Sequence, residues 1–429
     1  MSFKEVKLKY IATLNPSKSE LNLAAFKNKT VSFLPMDKII SPNNLDLSLE
    51  KTVEEVYSGY TYFRENDIVL AKVTPCFENG NIAVAKELKN GIGFGTTELH
   101  VLRVDEQLYD KEYIYYCLQL ENFKAKAVAN MYGVGGLKRI PTEFLSEYKF
   151  LVPDLKTQVA IRKYLNLKLT EISSLIENKN KLIKLLEQQR QSIITEAVTK
   201  GLNPSVKMKD SGVEWIGEIP EYWKVTKIKY NTYVKGRIGW QGLKSEEFID
   251  EGPYLVTGTD FKNGYVTWDN CYHISEERYL EAPPIQLREN DLLITKDGTI
   301  GKLALVKNMP DKAILNSGVF VTRPIDNKYL SKYMYWLLSS SVFDKYISLM
   351  ETGSTIKHLY QETFVNFAYP LPSLEEQENI TNYLNGKIGD VDNIIYSVKE
   401  QISKLKEYRQ ALIYEAVTGK IDVRDMELD

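Results

Sequence analysis

Three cysteines in 429 residues, Cys76, Cys117 and Cys271, are too few and too scattered for a disulfide framework, so a reducing cytoplasm is the expected setting and the thiols read as packing groups. The three histidines, His100, His273 and His358, make no metal-ligand spacing with them. No apolar run approaches the roughly 20 residues of a membrane span. The opening M-S-F-K-E-V-K-L-K-Y lacks the apolar core of a signal peptide. A net charge of −2 excludes a global basic field, which weighs against nucleic-acid binding.

Catalytic signatures are missing too. No G-x-x-x-x-G-K-[ST] phosphate loop occurs. K-D-G-T-I-G-K at 296–302 resembles the tail of one, but Leu303 replaces the metal-binding hydroxyl and the first glycine is misplaced. No G-x-G-x-x-G follows a strand, and N-P-S at Asn15 and Asn203 is not the N-P-P-aromatic motif of an adenine methyltransferase. No metal site, cofactor site or catalytic residue is expected in this chain.

What the chain does have is a repeat, the first thing to look for in a sequence too long for one core. A shift of 219 positions lays P-D-L-K-T-Q-V-A-I-R-K-Y-L-N-L-K, from Pro153, on P-S-L-E-E-Q-E-N-I-T-N-Y-L-N-G-K, from Pro372. The match runs without a gap to E-A-V-T at Glu196 and Glu415. Asp154 and Ser373 are suited to cap helices. Behind them comes a heptad run: Leu165, Leu169, Ile172, Ile176, Lys179, Ile183, Leu186, Arg190, Ile193, Ala197. The second copy keeps the register with Leu384, Ile388, Val391, Ile395, Val398, Ile402, Leu405, Arg409, Leu412, Ala416. About five heptads predict a coiled coil of two helices, each about 50 Å long.

Residues 151–204 carry nine Lys/Arg and five Asp/Glu, whereas 370–429 carry seven and twelve. A basic helix and an acidic copy favour pairing with each other over self-pairing. Arg190 and Arg409 either fix register at the seam or reach outward to a partner. A pseudo-two-fold axis would make the pair antiparallel, although a parallel coil remains open at this level.

The segments before the helices echo more faintly. K-L-K-Y at Lys7 matches K-I-K-Y at Lys227, F-R-E-N-D-I-V-L-A-K at Phe63 matches L-R-E-N-D-L-L-I-T-K at Leu287, and Y-D-K-E-Y-I-Y-Y at Tyr109 resembles Y-L-S-K-Y-M-Y-W at Tyr329. Short strands with turn residues in front, together with helical stretches at 111–128 and 328–349, make each globular part mixed α and β. The expected α+β architecture is therefore two similar mixed α/β domains, 1–152 and 205–371, and two long helical segments, 153–204 and 372–429.

P-x-L-x-x-Q-x-x-I-x-x-Y-L, the long helices, R-Q-A-L-I-Y-E-A-V-T-G-K-I-D from Arg409, and D-S-G-V-E-W-I-G-E-I-P-E-Y-W-K-V from Asp210 together resemble the specificity subunit of type I restriction–modification systems. A-K-V-T-P-C-F-E-N-G-N and K-D-G-T-I-G-K look like target-recognition motifs of that family. The first half lacks its own W-I-G-E-I-P entry, which reads as a shortened N-terminus. The resemblance implies two target recognition domains at opposite ends of an antiparallel coiled coil, each reading half of a bipartite double-stranded DNA site. It also implies a non-catalytic subunit whose partners are two methyltransferase subunits, which use S-adenosylmethionine, and ATP-dependent restriction subunits. A span of 50 Å is about 15 base pairs, enough for two half-sites with an unread gap.

Residues 1–150 hold 19 basic and 19 acidic groups, so any DNA-facing charge must be local. Loops that combine Lys/Arg, Asn/Gln and aromatics are the candidates for phosphate and base contact. In the first domain these are Lys72, Thr74, Asn79, Asn81, Tyr132, Lys138 and Arg139. In the second they are Lys235, Arg237, Trp240, Gln241, Lys296, Thr299, Lys302, Lys357 and His358. A coiled-coil scaffold that organises protein partners without reading DNA is the alternative. It accounts for the helices and not for two similar domains whose loops differ.

Overall fold

The protein is described from a computed structural model that covers residues 2–40, 44–134, 136–237, 243–350 and 358–424. The chain divides into two compact units: residues 1–179 with 400–429, and residues 180–399.

In the first unit, strand Lys4–Lys7 pairs antiparallel with Lys149–Val152. An antiparallel sheet runs in the order Ala12–Leu14, Leu99–Val104, Ile68–Ala71, Ile82–Val84. A second sheet contains one parallel pair, Thr30–Leu34 beside Ile92–Gly95. The second unit repeats each feature. Lys224–Lys227 pairs with Ala368–Leu371. The antiparallel order is Thr232–Gly236, Val319–Pro324, Leu292–Thr295, Leu303–Leu305. Ile249–Val256 and Ala313–Leu315 form the parallel pair.

The shared R-E-N-D stretch explains itself as a brace. Asn66 (φ 73°) and Asn290 (φ 68°) turn the chain through the left-handed region that asparagine tolerates. Asp67 accepts the Arg64 N–H at 2.9 Å and a two-point contact from Arg103, Nε to Oδ1 at 2.8 Å and Nη2 to Oδ2 at 2.7 Å. Asp291 does the same for Arg288 at 2.7 Å and for Arg323 at 2.6 and 2.8 Å. Glu65 accepts the N–H groups of Glu87 and Leu88, and Glu289 those of Asn308 and Met309. Each R-E-N-D thus ties one turn to two neighbours.

The long helices are Leu155–Lys200 and Leu374–Val417, 46 and 44 residues. At 1.5 Å per residue they are about 69 and 66 Å long, longer than the heptad run alone implies because the helix continues into both capped ends. Asp154 caps the first through the Thr157 N–H at 3.0 Å, and Ser373 caps the second through the Glu376 N–H at 3.3 Å. The glutamines of P-x-L-x-x-Q are buried. Gln158 accepts the Asp110 N–H and Gln377 the Leu330 N–H, 2.9 and 2.8 Å, which locks each long helix's start to the start of an earlier helix of its domain, Lys111–Cys117 and Ser331–Leu338.

The seam follows the heptads. Leu165, Leu169, Ile172, Leu384, Ile388, Val391, Ile395, Val398, Ile402, Leu412 and Ala416 are buried, and Ile176, Ile183, Leu186, Leu405 and Arg409 half-buried. Within the first unit, Lys179 reaches Gln401 at 2.6 Å and Tyr113 Oη donates to the carbonyl of Val417 at 3.1 Å. Within the second, Arg190 Nε donates to Asp392 at 2.9 Å, and Ile194, Ala197 and Val198 share a core with Ile380, Leu384 and Ile388. Low numbers on one helix meet high numbers on the other in both units, so the pairing is antiparallel in each. Arg190 is a cross-helix tie.

The two copies of E-A-V-T now have a reason. Ala416 and Val417 sit in the core of the first unit, beside Tyr113 and Tyr116. Ala197 and Val198 sit in the core of the second, beside Trp223 and Tyr333. Each repeat's helix therefore ends as a core element of the other repeat's domain.

Candidate nucleic-acid interface

In the first unit the chain leaves strand Ile68–Ala71 into the loop at 72–81, which meets a second loop at 132–139. The joint is backbone. Lys72 N–H donates to Glu98 O at 3.0 Å, Ile140 N–H to Lys72 O at 2.9 Å, and Thr74 N–H to Lys138 O at 2.9 Å, while Tyr132 and Arg139 exchange two bonds of 3.1 and 2.8 Å. Thr74 Oγ1 donates to Gly136 O at 2.7 Å and accepts the Lys138 N–H at 3.0 Å. Thr74 is thereby a brace between the loops, its hydroxyl spent on backbone.

The loops present Asn79 and Lys138 to solvent, with Tyr132 62% exposed. Asn81 is half-buried, and its carbonyl accepts the Ala71 N–H at 2.9 Å. Arg139 makes a fork to Glu98, Nε to Oε2 at 2.8 Å and Nη2 to Oε1 at 3.0 Å. That contact holds the Glu98 carboxyl below its usual range and the Arg139 guanidinium above its own. All seven expected residues of the first domain lie on this loop pair.

Three residues that the sequence reading passed over support it: Glu98, Asn15 and His100. Asn15 Oδ1 accepts the Val101 N–H at 2.9 Å, and its amide lies 3.4 Å from His100 Nδ1. Burial pushes the His100 imidazole to lower pKa. The neutral ring then carries its proton on Nε2, donated to Ile140 O at 2.9 Å, and accepts from Asn15 at Nδ1. A glutamate directly before an apolar strand and a histidine inside it, Glu98 and His100 on either side of Leu99, were the available signal.

The second unit builds the same joint with other side chains. Lys296 N–H donates to Gly318 O and Leu359 N–H to Lys296 O, both at 2.8 Å, in the places of the Lys72–Glu98 and Ile140–Lys72 bonds. Asp297 bridges to His358 as Val73 does to Arg139. The side chains differ: Gly318 stands where Glu98 does, and Asp297 holds His358 Nδ1. Lys302 Nζ donates to Gly258 O at 2.9 Å and lies over the Phe261 ring, and Lys296 lies over Phe320. Thr299 and Lys235 are exposed.

Arg237 corrects the sequence reading. It is 3% exposed, and its Nε donates to Leu315 O at 3.0 Å. Burial, with Arg278 nearby, pushes its guanidinium down to about 10. A guanidinium buried there and bonded to the Leu315 carbonyl is not presented to solvent. Trp240, Gln241 and Lys357 lie outside the described residues.

Among the described residues no group of three His, Cys, Asp or Glu is placed to hold a metal, and no helix is long and apolar enough to cross a membrane.

Comparison with known proteins adds the following. The family model described as the type I restriction modification DNA specificity domain matches residues 2–188 and 223–407. The specificity subunit of the Escherichia coli type I restriction enzyme EcoAI is 24% identical over 452 residues, covering 86% of this chain and 75% of that protein. That of MjaVIII from Methanocaldococcus jannaschii is 24% identical over 370 residues, covering 84% and 80%. Among solved structures, a chain from a study of complex assembly and conformational transition in the type I R-M system shares the fold with a TM-score of 0.77 at 16% identity, over 98% of both chains. The HsdS subunit from Thermoanaerobacter tengcongensis gives 0.55 at 16% identity, over 98% of this chain and 97% of that one.

Proposed function

The chain belongs to the type I restriction–modification DNA specificity family, and from that membership we propose that its two globular domains each read one half of a bipartite double-stranded DNA target. The observation that carries the reading is the shared joint. The bonds around Lys72 recur around Lys296, while the side chains they present change from Arg139 and Glu98 to His358 and Asp297. One frame with two sets of polar side chains suits two recognition events of the same kind at different sequences. A scaffold needs no such pair of polar loops.

The chain acts as a non-catalytic guide. Two methyltransferase subunits, which use S-adenosylmethionine, and ATP-dependent restriction subunits are its partners, and the paired helices are the seat of the methyltransferase subunits. The near-neutral net charge is consistent with this division: local lysines, among them Lys72, Lys138, Lys296 and Lys302, engage phosphates while the rest of the surface stays balanced.

The test is methyl transfer from labelled S-adenosylmethionine to DNA carrying the target. The purified chain alone is expected to transfer nothing above background, and addition of its methyltransferase partner to restore transfer at one bipartite motif. Transfer by the chain alone, free of contaminating methyltransferase, would refute the guide role.

A further inference from the structure

Resting on the two-reader function above, we infer that Arg139 reads a guanine in the half-site recognised by residues 1–150, with Glu98 as its positioning residue. Four observations converge. Arg139 sits at the joint of the two loops, tied through its backbone to Tyr132, and its side chain is 39% exposed. Glu98 grips Nε and Nη2, the side edge of the guanidinium. The outer edge, Nη1 and the second hydrogen of Nη2, then points away from the carboxylate. That edge is the two-donor fork that matches guanine O6 and N7 in the major groove.

Glu98 itself is anchored. Its carbonyl accepts the Lys72 N–H, and it opens strand Leu99–Val104, whose His100 is buried. An arginine so held has little freedom left to lose on binding, which favours a specific contact over a wandering phosphate contact. The corresponding place in the second unit holds His358 with Asp297, a different donor on the same frame, so the position is a natural site for specificity to vary.

The experiment is the methylated motif of cells that carry the full-length chain with its methyltransferase partner, read by methylome sequencing. In the wild type, the half-site assigned to residues 1–150 is expected to contain a fixed G·C pair. Arg139→Ala is expected to lower discrimination at that one pair by about tenfold or more, with the other half-site unchanged as the internal control for folding. Glu98→Gln is expected to relax the same pair by a smaller factor. A merely structural role for Glu98 would instead lower methylation at every site alike. Should Arg139→Ala abolish methylation altogether, Arg139→Lys decides, since it keeps the charge and loses the fork: relaxation at one G·C pair supports the assignment, and the wild-type motif overturns it. A wild-type motif with no second half would instead overturn the two-reader function beneath it.

Discussion

A variant with one heptad added to each long helix, just before Ile183 and just before Ile402, is expected to lose methylation of the original motif. Seven residues keep every seam position in register, including Ile176, Leu186, Val398 and Leu405 on either side of the insertions. They add about 10.5 Å to each helix. That is about three base pairs, and three base pairs also turn the duplex by roughly 100°. The added heptad does not supply that rotation. The variant therefore either accepts a motif with a longer gap, by twisting or bending the DNA at a cost of a few kcal/mol, or it loses activity. Methylome sequencing distinguishes the two. Full methylation of the original motif with its original gap would show that the helices do not set the spacing.

Asp291→Ala is expected to destabilise the second unit by about 3–5 kcal/mol, because it leaves Arg323, whose side chain is 14% exposed, without its carboxylate. Asp67→Ala is expected to cost the first unit less. Arg103 there keeps Glu20, which its Nη1 reaches at 2.5 Å, whereas the other carboxylate-free contact of Arg323 is the carbonyl of Gln286. The chain separates the two readouts by itself. All five tryptophans, Trp215, Trp223, Trp240, Trp268 and Trp336, belong to the second unit. Tryptophan emission in a urea titration should thus move by about 1 M or more for Asp291→Ala and by a smaller amount for Asp67→Ala. An Asp291→Ala midpoint equal to the wild type would contradict the role given to R-E-N-D.

R-E-N-D, P-x-L-x-x-Q and E-A-V-T were visible in the sequence because each does one structural job twice. Asp67 and Asp291 receive the same arginine fork, Gln158 and Gln377 the same backbone N–H, and Tyr113 and Tyr333 both reach a helix-end carbonyl. Two identical jobs select identical side chains, so the repeat carries structure, and the heptads carry the seam. What each helix end packs against was not visible. Ala197 and Ala416 complete the cores of the opposite repeats, and that exchange depends on contacts between residues far apart in sequence, such as Tyr113 and Val417.

The recognition loops were legible as regions and less so as residues. Arg237 stands in V-K-G-R-I-G-W-Q-G, a polar glycine-rich run typical of a surface, yet its stem and head are buried against Leu315. A long side chain in a loop can turn either way, and local composition does not decide it. Glu98 escaped notice as one of nineteen acids in its domain. Only the pairing of strand Leu99–Val104 with Ile68–Ala71 sets it beside Lys72 and within reach of Arg139.

The measurement closest to the central claim is the methylome of cells in which residues 1–150 have been replaced by the corresponding domain of a relative with a different target. The joint around Lys296 and the side chains of His358 and Asp297 stay untouched in that chimaera. One half of the methylated motif is expected to change to the donor's half, with the other half and the gap retained. A motif in which both halves change together, or neither does, would contradict two independent readers on one frame.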